Sequence, residues 1–183
     1  MLLFSIVAFY FALVYSRDVP APVSTVVVPY YIGHWAQIYQ APTNILFQGY
    51  GTCITADYGV LDNGNISVLN SQLDEHHKLE QIGGYGYYTN ISEPGKLTVH
   101  LDGVPVDSPY WIIQLGEVVD KQYSYTIITT PSYISLWVLA RNITAFFELY
   151  DKEVVAFLQQ YNFKYTVVSQ TDCAYTINNT WTL

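Results

Sequence analysis

YGTCITADYGVLDNGNISVLNSQL, residues 50–73, is two β-type runs joined by Asp62-Asn63-Gly64. Asn-Gly accepts the positive φ angles that tight hairpin turns demand, so the stretch predicts an antiparallel pair. Working outward, the same pattern recurs, with Glu93-Pro94-Gly95 and Asp102-Gly103 as further turns. Between the turns, strands are predicted over 35–40, 50–60, 65–73, 79–89, 97–101, 110–115, 123–129 and 134–141. Short connections pair sequential strands antiparallel. A meander of eight such strands closes into an up-and-down barrel, an all-β class with room for one small guest.

The period then changes once. Phe146, Phe147, Leu149, Tyr150, Val154, Val155, Phe157 and Leu158 follow a helical spacing. They predict one C-terminal helix over about 144–161, packed outside the barrel, with Thr144 as N-cap. Glu148, Asp151 and Glu153 lie toward its N-terminal half, where the helix dipole favours anions. A last short strand is expected at 166–169. The expected organisation is a signal peptide at 1–16, an extended segment at 17–30, the barrel with its helix at 31–175, and a tail at 176–183.

The formal charge of −8, with seven Lys and Arg, leaves no basic stripe to displace counterions from phosphates, which argues against nucleic acid and anionic membranes as partners. The opening run MLLFSIVAFYFALVYS stops at Arg17 and is shorter than the roughly 20 residues a membrane span needs. Val14 and Ser16 are small enough for cleavage after Ser16, although no Lys or Arg precedes the apolar run. The mature chain is therefore expected to be secreted, without an integral membrane segment. Sequons at Asn65, Asn90, Asn142 and Asn178 agree with passage through the glycosylation machinery. In that oxidising compartment Cys53 and Cys173 are expected to form one disulfide.

Three separated segments resemble the lipocalin family. Tyr31-Ile-Gly33-His-Trp35 looks like its Gly-x-Trp signature on the first strand. Thr171-Asp172-Cys173 and the turn Thr129-Thr130-Pro131-Ser132-Tyr133 stand near the family's Thr-Asp and loop motifs. Leu136-Trp137-Val138-Leu139-Ala140-Arg141 resembles the end of the eighth strand with its arginine. Cys53-Ile-Thr-Ala-Asp-Tyr58 and the run 62–70 are most similar to the apolipoprotein D and bacterial lipocalin branch. No cysteine directly follows the apolar leader, unlike the lipid-anchored bacterial members, and a single cysteine pair remains. The resemblance implies that Gly33, Trp35 and Arg141 build the barrel floor, a structural role, with the guanidinium lying on the indole. It also implies binding and transport of a small lipophilic ligand such as a fatty acid, lysolipid, sterol or retinoid-like molecule.

Alternate strand residues share a face, which turns the resemblance into an expected lining. If Arg141 reaches under the barrel, Leu139 and Trp137 point inward. If Cys53 faces outward to meet Cys173, then Tyr50, Thr52, Ile54, Ala56 and Tyr58 point inward. Trp137 and Tyr58 are the leading ligand contacts. Tyr85, Tyr87, Trp111, Ile113, Tyr123 and Tyr125 are further candidates on strands whose faces nothing independent fixes. Lys78 or Lys121, near strand ends, could meet a charged head group at the mouth.

Two rival classes remain. A lipid-modifying enzyme would need a nucleophile or metal. Cys53 is expected to be paired, and His76 and His77 are adjacent and point to opposite faces. Neither a G-x-S-x-G nor an H-E-x-x-H pattern occurs, so no catalysis, metal or cofactor is expected. A recognition or self-associating protein would use its outer surface, for which Gly83-Gly84-Tyr85-Gly86-Tyr87-Tyr88 is the candidate segment.

Overall fold

Leu61 to Asn65 make the decisive turn. The Leu61 N–H donates to the Asn65 carbonyl at 2.8 Å, and the Asn63 side chain accepts from the Asn65 N–H. Gly64 alone takes a positive φ, +83°, so the connection is longer than the tight two-residue turn that Asn-Gly suggests. In the computed structural model, residues 19–168, 170 and 173 are described. The expected signal peptide, the 176–183 tail, Asn178, Thr171 and Asp172 lie outside the described residues.

The strands are β1 (Gly33–Gln40), β2 (Thr52–Val60), β3 (Ile66–Leu73), β4 (Leu79–Tyr87), β5 (Lys96–Leu101) and β6 (Ser108–Leu115), followed by β7 (Val118–Val119), β8 (Gln122–Tyr123), β9 (Tyr125–Thr129), β10 (Leu136–Ala140) and β11 (Thr166–Val167). Neighbours pair antiparallel in the order β10-β9-β6-β5-β4-β3-β2-β1-β11, and β1 also pairs β10. That last pairing closes eight strands into a barrel and removes the sheet edge. β11 is an extra strand on β1, and β7–β8 form a small separate ribbon.

The helical segment comprises α3 (Ile143–Ala145), a π-helical turn (Phe146–Tyr150) and α4 (Asp151–Gln160), after the short α1 (Val28–Tyr31) and α2 (Ile45–Gln48). Its N-cap is Asn142, whose side chain accepts from the Ala145 N–H, and not Thr144. Phe146, Val154 and Leu158 are fully buried against Ile38, Tyr39, Ile127 and Val138 on the outer barrel wall. Fully burying each such side chain is worth about 1.5–3 kcal/mol. A second cluster packs on the inside: Tyr31, Trp35, Ala56, Ile66, Leu97, Ile112, Tyr123, Ile128 and Leu139. A disulfide joins Cys53 on β2 to Cys173. The 17–30 stretch is not extended throughout, because α1 makes one turn that delivers Tyr31 into the barrel.

Candidate functional site

At the floor, Arg141 lies 3.6 Å from the centroid of the Trp35 ring. Its Nη1 donates to the carbonyl of His34 at 2.6 Å. Its Nη2 contacts those of Tyr30, Tyr31 and Ile32 at 3.2, 2.9 and 2.7 Å. Trp35 Nε1 donates to the Tyr31 carbonyl at 2.9 Å. Gly33 is needed beside this plug. Its φ is +100°, and a Cβ there would stand 3.2 Å from both Arg141 Nη1 and Gln122 Nε2.

Above the floor the parity expectation divides. Leu139, Ala56, Tyr58 and Trp137 pack with the inner cluster. Ile54 is buried two residues before Ala56, next to a register shift between Thr52 and Thr55. Tyr50 is 79% exposed, because β2 begins only at Thr52, and it does not line the interior. Tyr123 is inside, where its hydroxyl accepts from the Val27 N–H.

Four further expected contacts are corrected. Tyr125 faces outward, against Phe146 and Tyr150 of the helical segment, because the strand is interrupted at Ser124 between β8 and β9 and the alternation from Tyr123 is lost. Trp111 is also outside, between Lys96 and Tyr133, while its neighbour Ile112 takes the inner position. Ile113 follows it outward at a bulge between Ile112 and Gln114. Tyr87 donates from its hydroxyl to Asp107 at 2.8 Å on the outer face, and Gly86 is the residue that turns toward Ile66 and Leu97. Lys121 sits in the exposed β7–β8 turn, beside the Gln122 that approaches Gly33 at the floor, so it is no mouth residue. Lys78 is exposed in the β3–β4 turn.

The mouth is organised by residues that strand alternation did not single out. Gln37 donates to Gln40 at 2.9 Å, and Gln48 of α2 donates to Gln37 at 3.3 Å. Trp137 Nε1 donates to Gln48 at 3.2 Å, and the Phe47 ring lies 6.0 Å from the Trp137 ring. Leu46, Phe47 and Ile134 around this end are 86%, 63% and 61% exposed. No group of three His, Cys, Asp or Glu that could hold a metal occurs among the described residues.

A lipocalin-like domain model matches residues 26–172, most of the chain. The chain belongs to the lipocalin family. Among curated lipocalins it is 36% identical over 114 residues to apolipoprotein D of Rattus norvegicus, covering 61% of this chain and 59% of that protein. It is 31% identical over 132 residues to the outer membrane lipoprotein Blc of Vibrio cholerae, covering 72% and 74%. The chain thus matches less than two thirds of the length of its apolipoprotein D relatives. Among solved structures, the cockroach allergen Per a 4 superposes with a TM-score of 0.61 at 19% identity, over 87% of this chain and 98% of that one. Lobster apocrustacyanin A1 gives 0.59 at 16% identity, over 90% and 97%. These structural likenesses establish the barrel fold.

Within this lipocalin barrel the electrostatics follow from burial. Burial raises the phenols of Tyr31 and Tyr110 well above their ordinary range and pushes Tyr58 up to about 12. All three are neutral hydrogen-bonding groups at physiological pH. Burial also pulls the Arg141 guanidinium down to about 10, which leaves it charged.

Proposed function

We propose that this lipocalin is a secreted carrier that holds one small lipophilic molecule in its barrel and does no chemistry on it. One observation carries the reading. On the inner face above the Trp35–Arg141 floor, Tyr58, Ile82, Val99, Leu101 and Trp137 keep part of their surface accessible. Ile82 shares its face with the Ala56–Asn70 row, and Val99 and Leu101 pair with Gly86 and Gly84. An apolar, aromatic wall gains about 25 cal/mol for every Å² it hides against a guest, so affinity needs no reactive group. Members of this family bind small hydrophobic ligands, and two relatives are named as an apolipoprotein and a lipoprotein. A fatty acid, lysolipid, sterol or retinoid-like molecule is the proposed cargo class. The proposed contacts are Trp137, Tyr58, Leu139, Ile54 and Ala56.

Secretion is supported by the apolar leader and by the disulfide, which suits an oxidising compartment. Asn90 and Asn142 are exposed, and Asn65 is half-buried beside a turn, positions a glycan can occupy. The test is titration of the secreted, delipidated protein with N-phenylnaphthylamine. Saturable binding that quenches tryptophan emission is expected, and Trp137→Ala should weaken it by roughly 3- to 10-fold through lost aromatic contact. No probe binding, together with no lipid released from the native protein in mass spectrometry, would end the carrier reading.

A further inference from the structure

Four hydroxyls meet inside the barrel. Tyr31 Oη lies 2.7 Å from Tyr110 Oη and 3.3 Å from Thr126 Oγ1, and Tyr58 Oη lies 3.2 Å from Tyr110 Oη. They form a chain, Thr126–Tyr31–Tyr110–Tyr58, with three links. Each link consumes one O–H, and the four hydroxyls own one each. One O–H is therefore left over whichever way the bonds run. The other three can all donate toward any chosen member, so the spare donor can be presented by any of the four.

Tyr31 is 3% exposed and Thr126 is wholly buried, whereas Tyr58 and Tyr110, packed on the inner cluster, are only partly buried residues. A guest thus meets the spare donor at Tyr58 or Tyr110. A buried donor without an acceptor is costly, while an oxygen with an unused lone pair is tolerated. The side chains of Ala56, Ile66, Leu97, Ile112 and Ile128 in the surrounding cluster are apolar. Arg141 is the cation closest to this chain, and both its terminal nitrogens are engaged with backbone carbonyls. Its remaining nitrogen, Nε, has no hydrogen-bond partner but is fully enclosed, so a carboxylate here would give up water without reaching a cationic N–H.

We propose that this hydroxyl chain is the polar subsite of the barrel, selecting lipophiles whose leading end carries a neutral oxygen acceptor, a carbonyl in the simplest case, over hydrocarbons and carboxylates. The proposal rests on the barrel-binding reading and names the chemistry of its guest. It is tested by displacing N-phenylnaphthylamine with nonanone, nonane and nonanoate. Wild type is expected to bind nonanone roughly 3- to 10-fold more tightly than nonane, the worth of one hydrogen bond, and more tightly than nonanoate.

Donor counting adds a sharper expectation. Tyr58→Phe should keep the ketone preference, because the spare O–H passes to Tyr110. Tyr58→Phe with Tyr110→Phe should abolish it, bringing nonanone and nonane to equal affinity within about two-fold. If the double variant does not fold, the wild-type ratio of nonanone to nonane still decides. Equal affinity for the two, a preference that survives in the double variant, or nonanoate binding best would each overturn the subsite and leave the carrier reading intact. Failure of the fluorophore and all three ligands to bind would overturn both.

Discussion

Arg141 shows how one side chain can close a barrel. Its guanidinium covers the Trp35 indole and reaches four backbone carbonyls, so it is both a lid on an aromatic ring and a cap for chain entering the floor. Removing it strands those carbonyls and uncovers the ring. Arg141→Ala is expected to lower stability by about 2–4 kcal/mol in urea unfolding. Arg141→Lys should recover less than half of that, because an ammonium lacks the planar fork and the flat face. Equal stability of Arg141→Ala and wild type would remove the plug role. The motif residues Gly33, Trp35 and Arg141 were legible in the sequence as a set, since each belongs to a short signature. Tyr31, Tyr110 and Thr126 were not, because nothing local marks which tyrosines of a tyrosine-rich chain will share hydrogen bonds across strands.

At the scale of elements, the helical segment and the disulfide each hold a long stretch of chain to the barrel. Asn142 caps the first turn by accepting from the Ala145 N–H, while Thr144 is exposed within that turn. In unglycosylated protein, Asn142→Ala should cost about 1 kcal/mol in thermal or urea unfolding, and Thr144→Ala close to nothing. The Cys53–Cys173 bond spans 120 residues of sequence. Replacing both cysteines by Ala should cost on the order of 4–5 kcal/mol in the chain-entropy model, read as a lower urea midpoint. Strand and helix positions were readable because their periods of 2 and 3.6 are local. Bulges were not. The shift between Gln37 and Tyr39 sends both Ile38 and Tyr39 outward to the helix, and the break at Ser124 separates Tyr123 inside from Tyr125 outside.

For the whole molecule, two sets of groups bound the pH range of stability. The His100 hydrogen bond, followed by that from Tyr87, holds Asp107 below the usual carboxylate range, and the Lys96 contact does the same for Glu93. Lowered folded values stabilise above the unfolded range near 4 and lose that contribution as pH falls through the folded values. At the other end, burial raises Tyr58 to about 12 and also raises Tyr31 and Tyr110 well above the ordinary phenol range. Raised values leave stability intact below the unfolded phenol value near 10, and it is lost as pH climbs toward the folded one. Thermal melts should therefore show a plateau from roughly pH 5 to pH 9, with loss on both sides. Tyr58→Phe should make the alkaline loss shallower, and an unchanged alkaline limb would place the sensitive phenols elsewhere.

Taken alone, the chain of amino acids determined the strand count, the meander order, the outer helix and the floor signature, because turn chemistry and side-chain period act between near neighbours. It also determined that Trp137 and Leu139 share the inside, since no bulge interrupts the alternation linking them to Arg141, whereas Tyr58 comes inside across a register shift between Thr52 and Thr55. Only the tertiary structure decided that Tyr125, Trp111 and Tyr87 face outward and that Tyr31 comes in from below to link Tyr110 with Thr126. Those outcomes depend on where a closed barrel must bulge to wrap a helix and which ring then fills the space beneath, and distant segments settle both together.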